Sequence, residues 1–151
     1  MPHTHSNLLV HVIFSTKNHA PFVREAFRER LYEYMGGLAA REFGRALIVG
    51  GTGDHVHGLL SLRPNISLSD AMMKWKSLSS GWVHRTFASE SAFAWQNGYA
   101  AFSVSHSMAP RVRRYIEGQE EHHRKHSFSD ELLAFLDAHG VEYNPQYIGG
   151  H

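Results

Sequence analysis

Two histidines one residue apart, His55 and His57, and a tyrosine and a glutamine four residues apart, Tyr115 and Gln119, are the side chains whose types and spacing fit one chemistry. In an extended strand alternate side chains share a face, so His55 and His57 project together while Val56 takes the other side. Two adjacent imidazoles hold one divalent metal ion. In a helix, residues four apart stack on one face, roughly 6 Å apart along the axis, which places the Tyr115 phenol beside the Gln119 amide. If that helix lies over the strand, a metal on His55, His57 and Gln119 polarises a phosphodiester while the Tyr115 oxygen attacks it, the chemistry of DNA strand transfer. A phenol with a pKa of ~10 needs a metal, cationic neighbours or a base to act at neutral pH. Arg111, Arg113 and Arg114 immediately precede it.

The elements that must position these groups follow from periodicity and punctuation. Leu8 to Ser15 reads as a strand with His11 inside it. Pro21 opens a helix. Phe27, Leu31, Tyr34, Met35 and Leu38 recur at helical spacing between Arg24 and Arg41, although Gly36 and Gly37 blur its end. Ala46 to Gly50 is a second strand, joined by the turn at Gly51 to Asp54 to a third at His55 to Leu62, a hairpin. Ser67 or Ser69 caps a helix reaching about Arg85, with Trp75 and Trp82 as packing residues. Residues 86 to 98 read as a loop and Tyr99 to Ser105 as a fourth strand. Ser107 and Pro110 start the helix that carries Tyr115 and Gln119. Gly118 in its interior costs ~1 kcal/mol relative to alanine, which invites close packing or local flexibility as the reason. A short helix from Ser129 to His139 follows, then Gly140 as a stop and a tail through Asn144, Pro145, Gln146 and Tyr147. The order β-α-β-β-α-β predicts an α+β chain, a ferredoxin-like (split βαβ) antiparallel sheet with helices packed on it.

A chain of 151 residues fits one domain, residues 1 to 151, with a single core. Its composition, 42% hydrophobic and 19% charged, is that of a soluble globular protein, and no apolar run reaches the ~20 residues of a membrane span. Residues 1 to 6 are polar, without a secretory signal, which makes a cytoplasmic location the expectation. Zero cysteines leaves nitrogen and oxygen ligands only, a set that suits Mg2+ or Mn2+. The net charge of +1 does not announce a nucleic-acid binder, but its distribution does more. Arg111, Arg113 and Arg114 form one cluster able to neutralise phosphates; Lys74, Lys76 and Arg85 form a second, for which a solvated face is the bland alternative.

The sequence resembles a known family in several segments, taken in order. Phe14-Ser15-Thr16-Lys17-Asn18 in the opening strand, Asp54-His55-Val56-His57, Ser67-Leu68-Ser69-Asp70 before a helix, Trp95 to Ser105, and Tyr115 with Gln119 are similar to the single-tyrosine transposases of the HUH endonuclease superfamily, the IS200-like transposases. The resemblance runs over roughly residues 6 to 148. It implies an enzyme that cleaves and rejoins single-stranded DNA near hairpins, with Tyr115 as nucleophile, a 5′-phosphotyrosine intermediate, a free 3′-hydroxyl and no ATP. It also implies metal ligands at His55, His57 and Gln119, and a homodimer joined edge to edge through its sheets. Gly53 stands where family members often have proline, and Gly58 where a larger apolar residue is common, which would weaken packing beneath the strand.

Each residue has a bland reading. With thirteen histidines in the chain, His55 and His57 alone would pass for a wetted sheet face, and it is Tyr115 and Gln119 that turn the reading to a metal site. Asp54 is the nearby candidate for an outer imidazole nitrogen. His122, His123 and His126 sit at helical spacings but read as a surface helix end, where cationic histidines suit the macrodipole. His3, His5 and His151 lie near the termini. Trp95 is either a stacking platform for an unpaired base or core, and Phe102 reads as core. Two alternatives stand beside the transposase: a domesticated relative that cleaves palindromes, and a catalytically silent hairpin-binding protein. The Lys/Arg-Gly-aromatic signature of the commonest ferredoxin-like RNA-binding module is absent.

Overall fold

The computed structural model describes residues 3–144; Pro145, Gln146, Tyr147 and His151 lie outside the described residues. The strands are β1 (Leu8–Ser15), β2 (Gly44–Gly51), β3 (His55–Leu62) and β4 (Ala100–Val104), and the helices α1 (Arg28–Glu42), α2 (Leu68–Thr86), α3 (Ala109–Glu117), α4 (Gln119–His122) and α5 (Phe128–Ala138). The sheet order is β2-β3-β1-β4, every neighbour antiparallel, which is the expected split βαβ arrangement.

Strand alternation divides the chain between two cores. Val12 and Phe14 of β1 and Val56 and Leu60 of β3 point to one face, where they pack with Leu31, Met35 and Leu38 of α1 and Met72 and Trp75 of α2. The other face carries His11 and Ile13 of β1 and His55, His57 and Leu59 of β3, covered by Ile116 of α3 and by Phe128 and Leu136 of α5. The second face therefore mixes buried apolar side chains with the buried histidines.

Glycines set two approaches between layers. A Cβ at Gly58 would lie 2.5 Å from the Trp75 ring, so the absent side chain is what lets Trp75 seat against β3. The weakened packing expected beneath Gly58 is corrected accordingly: Trp75 is fully buried and its indole N–H donates to the Met35 carbonyl at 2.9 Å. On the opposite face a Cβ at Gly50 would meet Ile116 at 2.9 Å, and Gly50 pairs with His57, so α3 lies over β2, next to the histidine strand.

Local boundaries depart from the sequence pattern where tertiary contacts compete. The helix expected from Pro21 and Arg24 begins only at Arg28. Val23 N–H donates instead to the Gly53 carbonyl, Phe27 N–H to Arg24, and the Arg28 guanidinium to the Val23 carbonyl, while Val23 and Phe27 are buried. Ser67 caps α2 and Ser127 caps α5, each accepting the backbone N–H three residues on. Ser107 caps nothing: a 3-10 turn at His106–Met108 precedes α3, with Pro110 in its first turn. The single helix expected to hold both Tyr115 and Gln119 is broken at Gly118 (φ −91°, ψ 15°). An added Cβ there meets nothing closer than 3.5 Å, so close packing does not account for this glycine.

Candidate functional site

His55 and His57 are both fully buried, not on a wetted face. His55 Nδ1 lies 2.8 Å from Asp54 Oδ1 and 3.0 Å from Thr52 Oγ1, so the turn before β3 holds its outer nitrogen, as expected of Asp54. His57 Nδ1 lies 2.8 Å from His11 Nε2, contributed by the neighbouring strand. Both rings are thereby turned with Nε2 facing one interior space.

Gln119 and Glu131 close that space from the helix layer. Gln119 Oε1 is 2.9 Å from His55 Nε2, and Gln119 Nε2 donates to Glu131 Oε2 at 2.9 Å. Glu131 Oε1 lies 3.0 Å from His57 Nε2, 3.1 Å from His123 Nε2 and 3.5 Å from His55 Nε2. The Tyr115 hydroxyl donates to the other oxygen, Glu131 Oε2, and His122 Nε2 is 3.5 Å from the phenol. Tyr115 and Gln119 thus meet at one carboxylate despite the break at Gly118. The tyrosine is half-buried and lines an open cleft of about 320 Å³ with His122, Phe135 and His139, which gives a substrate a route to its hydroxyl.

The electrostatics follow from burial and pairing. Burial opposes ionisation of Glu131, but hydrogen bonds from His123, His57 and Tyr115 outweigh it and hold the carboxyl well below the usual range, so Glu131 is an anion. Burial, above all, lowers His57 to about 4 against the pull of Glu131, and burial with the His57 neighbour lowers His11 to about 3, so both are neutral near pH 7. His123 is raised because its bond to Glu131 outweighs its desolvation. Burial and the bond to Glu131 push the Tyr115 phenol up, so it is protonated until something else draws the proton away.

The donors fit a metal ion. With the His55 N–H on Asp54, the Nε2 lone pair faces the oxygens of Gln119 at 2.9 Å and Glu131 at 3.5 Å, acceptors turned on one another that a cation satisfies. Donors 2.0 to 2.2 Å from an ion stand about 3 to 3.5 Å apart, and Glu131 Oε1 lies 3.0, 3.1 and 3.5 Å from the Nε2 atoms of His57, His123 and His55. One donor atom from each of His55, His57, His123 and Glu131 lies within 4.8 Å of the others.

Three of these residues carry no site signal in the sequence. His123 reads there as one of the helix-end histidines, yet it turns inward. His11 reads only as a strand residue. Glu131 carried no motif; its sole sequence signal is a carboxylate on the face of an amphipathic helix that is otherwise apolar, with Phe128 and Leu132 beside it. Conversely, Trp95 is core and not a free stacking platform: its ring packs edge-on against Phe14 and Phe93, and its indole N–H donates to Ser79 Oγ at 3.0 Å. Lys76 is structural as well, its ammonium donating to the carbonyls of Gln96 and Gly98 at 2.7 and 2.6 Å. Lys74 sits with it on α2, which packs on the face away from the histidines. Arg111, Arg113 and Arg114 are exposed along α3, on the tyrosine side, with Arg113 near Glu117 at 3.6 Å. Phe102 is buried, as expected.

The sheet presents two buried histidines to a helix-borne tyrosine, and the comparisons with known proteins set this arrangement in a transposase family. The family model described as "Transposase IS200 like" matches residues 4–119, and the chain belongs to that family. Among solved structures, a "putative transposase" from Deinococcus radiodurans R1 is similar in fold, at 20% identity, a TM-score of 0.63, and coverage of 79% of this chain and 95% of its own. A REP-associated tyrosine transposase bound to a REP hairpin aligns at 11% identity and a TM-score of 0.53, covering 86% of this chain and 79% of its own. No curated protein matches the chain. No helix among the described residues is long and apolar enough to cross a membrane.

Proposed function

We propose that this transposase is metal-dependent and cleaves and rejoins single-stranded DNA near hairpin ends through a 5′-phosphotyrosine intermediate. The observation that carries the reading is the shared carboxylate: Glu131 receives the Tyr115 hydroxyl on one oxygen and faces the His57 Nε2 with the other. His55, His57 and Gln119 would hold a divalent ion, with Mg2+ or Mn2+ the ions expected from the sequence, and that ion would supply Lewis-acid polarisation of the scissile phosphate.

The residues do the rest. Tyr115 oxygen bonds to phosphorus, the bond to the 3′ oxygen breaks, the phenol proton is lost to solvent water through the cleft, and the departing 3′ oxygen takes a proton from water to leave a 3′-hydroxyl. The phosphotyrosine keeps the energy of the broken ester, so the reverse attack by a 3′-hydroxyl rejoins a strand. Arg111, Arg113 and Arg114 are exposed on α3 near Tyr115 and would bind phosphates. A hairpin as the DNA partner is supported by the structural neighbour whose bound ligand is a REP hairpin. The homodimer implied by the resemblance would join the sheet edges, β2 or β4. A cytoplasmic location fits a DNA-processing enzyme of this kind.

The test is a covalent-adduct assay with labelled single strands from the gene's own flanks, with Mg2+ or Mn2+, on a denaturing gel. A metal-dependent shifted band in the wild type that Tyr115→Phe lacks is the expected result. No band, with tight hairpin binding retained, would leave a silent hairpin binder.

A further inference from the structure

We propose that Glu131 and His123 are themselves metal ligands beside His55, His57 and Gln119, so that three imidazoles, one carboxylate and one amide oxygen surround the ion, and that this donor set binds cobalt or zinc more tightly than magnesium. The inference deepens the metal-dependent reading and rests on it. It names two ligands on α5 and beside α4 that the His-x-His and Tyr-Gln motifs do not contain.

The geometry divides the two oxygens of Glu131 between two tasks. Oε1 faces the Nε2 atoms of His57 at 3.0 Å, His123 at 3.1 Å and His55 at 3.5 Å, while Oε2 receives Tyr115 and, at 2.9 Å, the Gln119 amide. Glu131 is 4% exposed, and a carboxylate is kept in such a place only when paired. Its partners on the Oε1 side are the imidazole nitrogens already aimed at the ion space. His123 meets that cluster edge-on, its ring centroid 4.4 Å from that of His55. Neither residue would gain from pointing inward if its task were to wet a surface.

The donor chemistry then ranks the ions. Magnesium dehydrates reluctantly and prefers oxygen and water in an octahedron, whereas imidazole suits the later first-row ions. A set with three imidazoles therefore favours cobalt and zinc. Glu131 also joins the ion to the nucleophile through one carboxylate, so the tyrosine hydroxyl and the metal are set by the same side chain.

The test uses the full chain stripped with chelator and cobalt(II) alone as probe, read by calorimetry and by ligand-field absorption, which reports the nitrogen ligands. Wild type is expected to bind cobalt at least ~10-fold more tightly than magnesium. Glu131→Ala, Glu131→Gln and His123→Ala are each expected to lose ~10- to 100-fold in cobalt affinity with a changed spectrum. Glu131→Gln keeps the shape and most hydrogen bonds should the alanine variant fold poorly. Glu131 variants that bind cobalt as tightly as wild type or more tightly, while His57→Ala loses it, would overturn the proposal and show Glu131 occupying the place of the ion. Wild type that takes up no divalent ion would instead remove the metal-dependent reading beneath it.

Discussion

His11 Nε2 lies 2.8 Å from His57 Nδ1, joining two buried imidazoles on adjacent strands. The contact orients the His57 ring so that Nε2 faces Glu131. His11→Phe keeps the ring volume and removes the partner, leaving a buried nitrogen unpaired. Metal affinity is expected to fall ~10-fold or more, and stability by about 1 to 3 kcal/mol. Calorimetric metal titration and urea melts of the same variant check both; unchanged metal affinity would mean that His57 needs no orienting partner.

Acid should unfold the metal-free protein earlier than its composition suggests. The unfolded His57 binds a proton near 6.5 and the folded one only near 4, so as pH falls the unfolded state is protonated first and stability drops across that window. His57 alone accounts for roughly 3 kcal/mol. His11, lowered to about 3, extends the loss further down. Glu131, held below its ordinary 4.5 by its hydrogen bonds, adds stability above that value that is lost as pH falls through its folded value. His123, raised by Glu131, works the other way: its contribution is present below 6.5 and is lost as pH rises through its folded value. Urea melts in chelator at pH 7 and pH ~4.5 should show a net loss at the lower pH; equal stability at both would contradict the burial argument.

Filling Gly58 should disturb the core from the side away from the site. Gly58→Val drives a side chain into the Trp75 ring, which a Cβ alone would meet at 2.5 Å. A loss of about 1 to 3 kcal/mol is expected. Thermal unfolding measures it, and a neutral substitution would show that Trp75 yields readily.

The two basic clusters should separate by salt dependence. Arg111→Ala and Arg114→Ala are each expected to lower the slope of log K against log salt for single-stranded DNA by ~0.7. Lys76→Met should leave that slope alone and cost about 1 to 2 kcal/mol of stability, because its ammonium satisfies the carbonyls of Gln96 and Gly98. A changed slope for Lys76→Met would return α2 to the DNA-binding surface.

The His55-Val56-His57 alternation, the capped α2 and the four strands in order were legible because strand and helix periodicity are local properties, and local bonding decides which face each side chain takes. The Tyr115 and Gln119 pair was legible as a spacing, but the helix break at Gly118 was not, since nothing in the spacing of side chains reports a change in backbone angle. Which groups share the histidine face depended on packing. His11 arrives by the β1 to β3 pairing, Glu131 because α5 folds back over the same sheet face, and His123 because it ends α4 beside Gln119. Trp95 and Lys76 went the other way, into core and loop bonding that composition does not distinguish from exposed binding residues. The sequence by itself determined the ligand types, their periodicity and the order of elements. Only the tertiary structure decided which distant residues close the polar cluster, because burial and long-range hydrogen bonds are set by the assembled sheet and helices and not by spacing along the chain.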